Sequence, residues 1–170
     1  MPKQNALVVE SGDLFENIAV IEWLKQQQNT YHITLLIGAG KQTNTACAQA
    51  GYKRKFCPLG RIYENAEHRQ LGERIARETQ SLIQDQLDQE GLSCRVLIPF
   101  DTSDDVVTPV NGDVAMFGKY LGYDKIFRLT RNERVKDKEE LIRKVALAFS
   151  PVAGPEGIDM YLSKISVIGF

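Results

Sequence analysis

The chain has 170 residues, of which 43% are hydrophobic and 25% charged, and its formal net charge at pH 7 is -1. This composition is typical of a globular protein with one domain over residues 1–170, and the charge argues against a nucleic-acid partner. No apolar run is long enough to span a bilayer and the first residues lack a secretory signal, so we expect a cytoplasmic protein without a membrane partner. The three widely spaced cysteines, Cys47, Cys57 and Cys94, argue against a disulfide framework or a zinc knuckle and are expected to be reduced and buried.

Apolar runs alternate with helical patterns along the chain. Strands are predicted at 6–11, 32–38, 93–100, 125–130 and 164–170. Runs typical of strands buried on both faces occur at Leu7–Val9, Ile33–Ile37 and Ile165–Ile168. Helical spacing predicts helices at 15–28, from about 41 to 51, from about 64 to 90, from about 111 to 121, and at 138–149, with a short helix before the last strand. The stretch 52–62 contains Pro58 and Gly60 and is expected to be irregular.

Strands separated by helices indicate parallel βαβ units. We therefore predict an α/β fold, a three-layer α/β/α sandwich with a mainly parallel sheet of about five strands. Ligands of such folds bind beyond the carboxyl ends of the strands, which directs attention to the residues that follow each strand.

The loop after the second predicted strand has features of an anion site. Gly38, Ala39 and Gly40 would let a bound group approach the backbone, and the helix that follows would present free N–H groups beside Lys41. A P-loop is excluded because Leu35 stands at its first glycine position, and no dinucleotide fingerprint is present. A tight turn in which Thr43 caps the helix is the alternative reading of the same residues.

Four segments, taken in order, resemble the amino acid kinase family, which includes acetylglutamate kinase, aspartokinase and uridylate kinase. They are ALVVESGDL (6–14), LLIGAGKQTN (35–44), FCPLGRIYENAEHRQL (56–71) and PVNGDVAMFGKYLGYDKIFRLTRNERVKDKEEL (109–141). The resemblance implies an amino acid kinase-like fold with ATP and Mg as possible cofactors. It also implies a set of ligand- or anion-binding positions, namely Gly12, Gly38, Ala39, Gly40, Lys41, Arg61, Asn111, Thr130 and Arg131.

The catalytic positions depart from the family's motifs. Glu10 stands where the family has a phosphate-binding lysine, and a carboxylate there opposes phosphoryl transfer. Asp113 matches the aspartate that orients the catalytic lysines, whereas the nucleotide lysine could correspond to either Lys136 or Lys138. An exchanged ion pair between Glu10 and Arg131 could close the mouth of the site.

Other polar groups give weaker signals. The acidic residues near the strand ends could hold magnesium, but such residues usually cap helices or face water; they are Glu10, Asp13, Asp101, Asp104, Asp105 and Asp113. His32 and His68 are expected at the surface without a catalytic partner. The basic residues Lys53, Arg54, Lys55 and Arg61 are either solvated or, through Arg61, part of an anion site.

Three functions are compatible with this resemblance. The first is a degenerate, kinase-like protein (a pseudoenzyme) that binds a small anionic molecule or nucleotide without efficient phosphoryl transfer. The second is an active ATP-dependent phosphotransferase for a small carboxylate, carbamate or nucleoside monophosphate, with Lys41 and Asp113 as catalytic residues. The third is a structural subunit that forms a homo-oligomer through the helix at 64–90.

Overall fold

A computed structural model describes residues 1–57, 60–101, 108–116, 122–148 and 159–170. The strands, numbered in chain order, are β1 (Gln4–Ser11), β2 (Tyr31–Gly38), β3 (Phe56–Cys57), β4 (Gly60–Arg61), β5 (Arg95–Leu97), β6 (Phe100–Asp101), β7 (Thr108–Pro109), β8 (Lys125–Thr130) and β9 (Ile165–Gly169). The helices are α1 (Ile18–Gln27), α2 (Gly40–Gln49), α3 (Ala66–Gln89), α4 (Gly112–Ala115) and α5 (Val135–Ala148). Short 3-10 turns cover Gly12–Glu16 and Asn132–Arg134.

Within the described part of the chain, five strands form one parallel sheet in the order β5-β2-β1-β8-β9. The predicted α/β architecture is therefore confirmed, and β8 has the predicted bounds. Two short antiparallel pairs, β3 with β4 and β6 with β7, lie outside that sheet. The first of these pairs falls in the stretch that was expected to be irregular.

The hydrophobic core lies on both faces of the sheet. Ala6 and Val8 of β1 face one layer, which includes apolar side chains of α1 and α3, whereas Leu7 and Val9 face a second layer that includes Ile142 of α5. Alternate residues of β1 are thus buried on opposite faces, which explains its continuous apolar run. Each fully buried leucine or valine contributes roughly 2 kcal/mol through the apolar surface removed from water.

Helix α3 covers the edge strand of the sheet. Its buried residues recur every three or four positions; they are His68, Gly72, Ala76, Thr79, Ile83 and Leu87. The Gln84 side chain donates to the Cys94 carbonyl and accepts from the Val96 N–H, both at 2.9 Å, and Gln80 donates to the Val96 carbonyl at 2.8 Å. These bonds satisfy edge-strand groups that would otherwise be free to pair with another chain.

Several predicted boundaries move, each for a local reason. The helix predicted from residue 15 begins at Ile18, where the Asn17 side chain accepts a hydrogen bond from the Ala19 N–H at 3.0 Å. The strand predicted over 93–100 is regular only over Arg95–Leu97, because Pro99 has no N–H to continue the ladder. The helix predicted over 111–121 begins with α4, and residues 117–121 of that prediction lie outside the described residues.

Buried and exposed positions also differ in part from expectation. Cys47 and Cys94 are free and buried as predicted, but Cys57 is exposed on the β3–β4 hairpin. His68 is fully buried rather than at the surface, because it lies on the inner face of α3. Among the described helices, none is both long and apolar enough to cross a membrane.

Candidate functional site

A pocket with a cavity volume of about 210 Å³ lies at the carboxyl edge of the parallel sheet. Residues at the ends of β1 and β2 form its floor, and Arg128 of β8 and Lys138 of α5 reach it from neighbouring elements. The β3–β4 hairpin lines it through Phe56 and Arg61. Parallel strands end at the same edge, so chain segments distant in sequence meet there.

Glu10 is the main polar group that β1 contributes to this pocket. Its side chain is only 2% exposed, and neither carboxyl oxygen has a hydrogen-bond partner among the described residues. Burial raises the pKa of Glu10 to about 8, although the positive charge of Arg128 opposes the rise. At neutral pH Glu10 is therefore mostly a neutral carboxylic acid, whereas the sequence interpretation treated it as an anion.

A buried cluster of three charged residues lies in the same pocket. The Arg128 Nε donates to Asp113 Oδ1 at 2.5 Å, and the Lys138 Nζ donates to Asp113 Oδ2 at 2.9 Å. Burial alone would raise the pKa of Asp113, but Arg128 and Lys138 together hold it below its ordinary value. Burial, together with the charge of Arg128, lowers the pKa of Lys138.

Backbone contacts fix the geometry of this cluster. The Arg128 guanidinium also donates from Nη1 to the Val9 carbonyl at 3.2 Å and to the Leu129 carbonyl at 2.8 Å. The Asp113 N–H donates to the Asn111 side-chain oxygen at 2.9 Å, which places Asp113 in the first turn of α4. Arg128 is thus held mainly by the protein itself, whereas Lys138 keeps N–H donors for a ligand.

The loop after β2 contributes backbone groups to the pocket but no charged side chain. Gly38, Ala39 and Gly40 line the pocket, but Lys41 is exposed and is absent from the lining. Helix α2 starts at Gly40 after Ala39, without a side-chain cap, so the predicted role of Thr43 as N-cap is wrong. Thr43 is buried within the helix and lines the pocket.

Arg61 lies at the rim of the pocket. Its Nη2 donates to the Asn44 side-chain oxygen, and its guanidinium lies 4.9 Å from the centroid of the Phe56 ring. Phe56 is half exposed, so this cation–π pair forms part of the pocket mouth.

Besides Lys41, three predicted binding residues lie away from the pocket lining. Gly12 begins a 3-10 turn and packs against α3, and Thr130 ends β8 opposite Gly169 of β9. Arg131 is exposed and pairs with Asp13 at 3.1 Å. The hypothesis of a Glu10–Arg131 ion pair is therefore wrong.

The two candidate lysines, Lys136 and Lys138, both lie in the first turn of α5 but differ in position. Lys138 lines the pocket and is mostly buried, whereas Lys136 is exposed.

No group of three or more acidic, histidine or cysteine side chains suited to a metal ion is found in the described ranges. Asp104 and Asp105 of the proposed magnesium ring lie outside those ranges.

Sequence reasoning missed Arg128, although the sequence carries a signal for it. An arginine within the apolar run KIFRLT, whose neighbours on β8 are buried, must itself be buried and therefore needs an anionic partner. Asp113 was predicted as a site residue because it matched the aspartate that orients the catalytic lysines of the kinase family. Its contact with Arg128 follows only from the packing of α4 on the sheet.

Comparison with known proteins gives the fold of the chain and no family. No family model matches the sequence, and no curated protein matches it either. The chain is similar to the crystal structure of smu.665 from Streptococcus mutans UA159, with a TM-score of 0.63, 12% identity, and coverage of 95% of this chain and 94% of that chain.

The chain is also similar to N-acetylglutamate synthase from Neisseria gonorrhoeae. The complex with coenzyme A and L-arginine matches with a TM-score of 0.59 and 11% identity, over 98% of this chain and 56% of that chain. The complex with coenzyme A and N-acetyl-glutamate matches with a TM-score of 0.54 and 12% identity, over 98% and 54%. The chain thus spans about half the length of the synthase.

These findings correct the family assignment made from sequence. The solved structures named here are an smu.665 protein and an acetylglutamate synthase rather than kinases, and no family model supports the amino acid kinase resemblance. The predicted kinase, whether degenerate or active, is therefore not supported, and neither is its predicted ATP binding. The same holds for the oligomerising subunit, which was inferred from that family. The cause of the error is that the motifs were incomplete, and glycines after strands and polar residues before helices are common features of α/β folds.

Proposed function

We propose that this protein binds a small carboxylic acid of amino-acid size in the pocket at the carboxyl edge of the sheet. The observation that carries the proposal is a buried carboxyl group, Glu10, without a hydrogen-bond partner among the described residues, in the same cavity as a buried cluster with an excess of positive charge. A ligand that accepts from both would satisfy groups that the protein leaves incomplete.

The charge balance of the pocket favours an anion. Arg128 and Lys138 contribute two positive charges and Asp113 one negative charge, so the cluster has a net charge of +1. Glu10 adds little negative charge at neutral pH because burial raises its pKa to about 8. Arg61 adds a further positive charge at the rim.

The cavity volume limits the size of the ligand. The volume of about 210 Å³ is smaller than the 300–1,000 Å³ typical of pockets for drug-sized ligands. The lining also includes apolar groups such as Val9, Ile98 and Pro99, which suit a short hydrocarbon segment. A compact acid with an apolar body fits this combination.

The ligands of the similar synthase suggest probes of this size. That enzyme was crystallised with coenzyme A and with either L-arginine or N-acetyl-glutamate. Of these three molecules, N-acetyl-glutamate is both small and acidic, which agrees with the positive charge of the pocket. L-arginine carries a guanidinium group that the cluster would repel, so it serves as a contrasting probe.

A thermal-shift experiment on the purified protein tests the proposal. The probes are N-acetyl-glutamate, glutarate, the corresponding diamide, L-arginine and coenzyme A. An acid at a hundred times its Kd should stabilise the protein by about 2.7 kcal/mol, which raises Tm by roughly 5–10 °C for a chain of this length. Equal shifts with acid and amide, or a shift with L-arginine alone, would contradict the proposal.

Two lysine variants provide a matched pair for the same experiment. Lys138→Gln removes the pocket ammonium group, whereas Lys136→Gln removes an exposed one two residues away. The acid-induced shift should be lost in the first variant and kept in the second. The same loss in both variants would indicate nonspecific charge effects instead of a built site.

A further inference from the structure

We infer that Glu10 makes the pocket specific for a carboxylate, by donating its own carboxyl proton to an oxygen of the bound acid. This inference rests on the proposed function and assigns to Glu10 a role that the charged cluster cannot fill. The neutral carboxyl group would act as donor and the ligand carboxylate as acceptor, in a short charge-assisted hydrogen bond.

The position of Glu10 supports this role. It is the next-to-last residue of β1, a strand with a neighbour on each side, and its backbone lies opposite Ile37 of β2. The side chain lines the cavity while being almost completely buried, and no described side chain hydrogen-bonds to it. A buried carboxyl group without a partner costs free energy, so a ligand that supplies an acceptor gains by occupying that place.

Two charged residues, Arg128 and Asp13, act on the ionisation of Glu10. Arg128 on β8 attracts the ionised form of Glu10, but its donors are directed to Asp113 and to backbone carbonyls. Lys138 on α5 also donates to Asp113. Asp13, in the 3-10 turn after β1, disfavours ionisation of Glu10.

Two further titratable groups, Cys94 near Glu10 and Tyr63 in the pocket lining, are neutral at physiological pH. Burial raises the pKa of the Cys94 thiol to about 11, with a further contribution from Glu10. Burial likewise raises the pKa of the Tyr63 hydroxyl to about 12. Neither group supplies a competing charge, and Arg61 at the rim is held by Asn44.

Ionisation of Glu10 would weaken the binding of a carboxylate in this pocket. The carboxylate form has no proton to donate and places a negative charge beside that of the ligand. Because only the protonated form is competent, the apparent Kd increases as the protonated fraction decreases. With a pKa of about 8 for the free protein, Kd should rise roughly tenfold between pH 7 and pH 9.

Isothermal titration with N-acetyl-glutamate, or with the acid that gives the largest thermal shift, tests the inference between pH 6.5 and pH 9.5. Titration in two buffers of different ionisation enthalpy measures the protons taken up on binding. At pH 8.5 the wild-type protein should take up roughly three quarters of a proton per ligand, because about that fraction of Glu10 is ionised before binding.

Two variants identify the group responsible. Glu10→Gln keeps a donor at every pH, so it should bind the acid at pH 7 without the tenfold rise in Kd by pH 9. Glu10→Leu removes the donor and should weaken binding at pH 6.5 by at least about tenfold. Circular dichroism confirms that each variant is folded.

The outcomes distinguish this inference from the proposed function. Acid binding at pH 6.5 with a Kd that stays constant up to pH 9 would overturn the role of Glu10 and leave the proposed function intact. A rise in Kd that persists in Glu10→Gln would assign the effect to another group, such as Lys138, and would also overturn it. If no acid bound at any pH, both the proposed function and the role of Glu10 would be contradicted.

Discussion

Replacing Glu10 with glutamine should remove a large loss of stability that the wild-type protein shows as pH rises from 4.5 to about 8. The wild-type carboxyl group has an ordinary pKa of 4.5 when unfolded and about 8 in the fold, where it is fully buried. The folded state therefore binds more protons than the unfolded state between these two values. The stability contributed by protonated Glu10 is fully present below pH 4.5 and is lost as pH rises through 8.

The magnitude follows from the separation of the two pKa values. Each pKa unit corresponds to about 1.36 kcal/mol, so between pH 5 and pH 8.5 the wild-type protein should lose about 4 kcal/mol that the glutamine variant does not lose. Glutamine has nearly the same shape but does not titrate, so the difference between the two proteins isolates this one group.

Urea unfolding at several pH values measures this difference. Trp23 is the single tryptophan, and its ring packs edge-on against Phe127 and Phe170 in the core, so its fluorescence reports loss of the core. The free energy of unfolding should fall more steeply with pH in the wild type than in Glu10→Gln. Parallel profiles for the two proteins would refute the argument, because they would mean that Glu10 has the same pKa folded and unfolded.

Two further predictions concern packing and charge near the site. Asp113→Asn removes the counter-charge of the buried Arg128. It should therefore lower the free energy of unfolding, measured by urea titration, by about 3–5 kcal/mol. A loss below about 1 kcal/mol would contradict the assigned role of Asp113. Gly72→Ala would place a methyl group 2.6 Å from the Tyr63 hydroxyl oxygen and should lower the free energy of unfolding by about 1–3 kcal/mol. In Gly38→Ala the added methyl group meets nothing within 4 Å, so the free energy of unfolding should fall by less. Equal Tm values for the two alanine variants would contradict this packing argument.

The sheet was predictable because its strands are buried on both faces. The strand Gln4–Ser11 contains the apolar run Ala6–Val9, and Lys125–Thr130 contains the buried apolar residues Ile126, Phe127 and Leu129. The hairpin of Phe56–Cys57 with Gly60–Arg61 was not predictable, since strands of two residues have no periodicity. Local pattern therefore identified the long elements and missed the short ones.

The family and the kinase-related functions were not determined by the sequence. Partial matches to glycine loops and to an Asn-x-Asp segment were too unspecific, and neither family models nor similar structures supported them. The proposed site depends instead on contacts between residues far apart along the chain.

The sequence alone determined that parallel strands would end at one edge, and that Glu10 and the Gly38–Gly40 loop would lie there, because the alternation of strands with helices can be recognised along the chain. Only the tertiary structure decided that Arg128, Asp113 and Lys138 form one cluster, since helix packing brings them together. Burial, which is also a tertiary property, decided that Glu10 holds its proton at neutral pH.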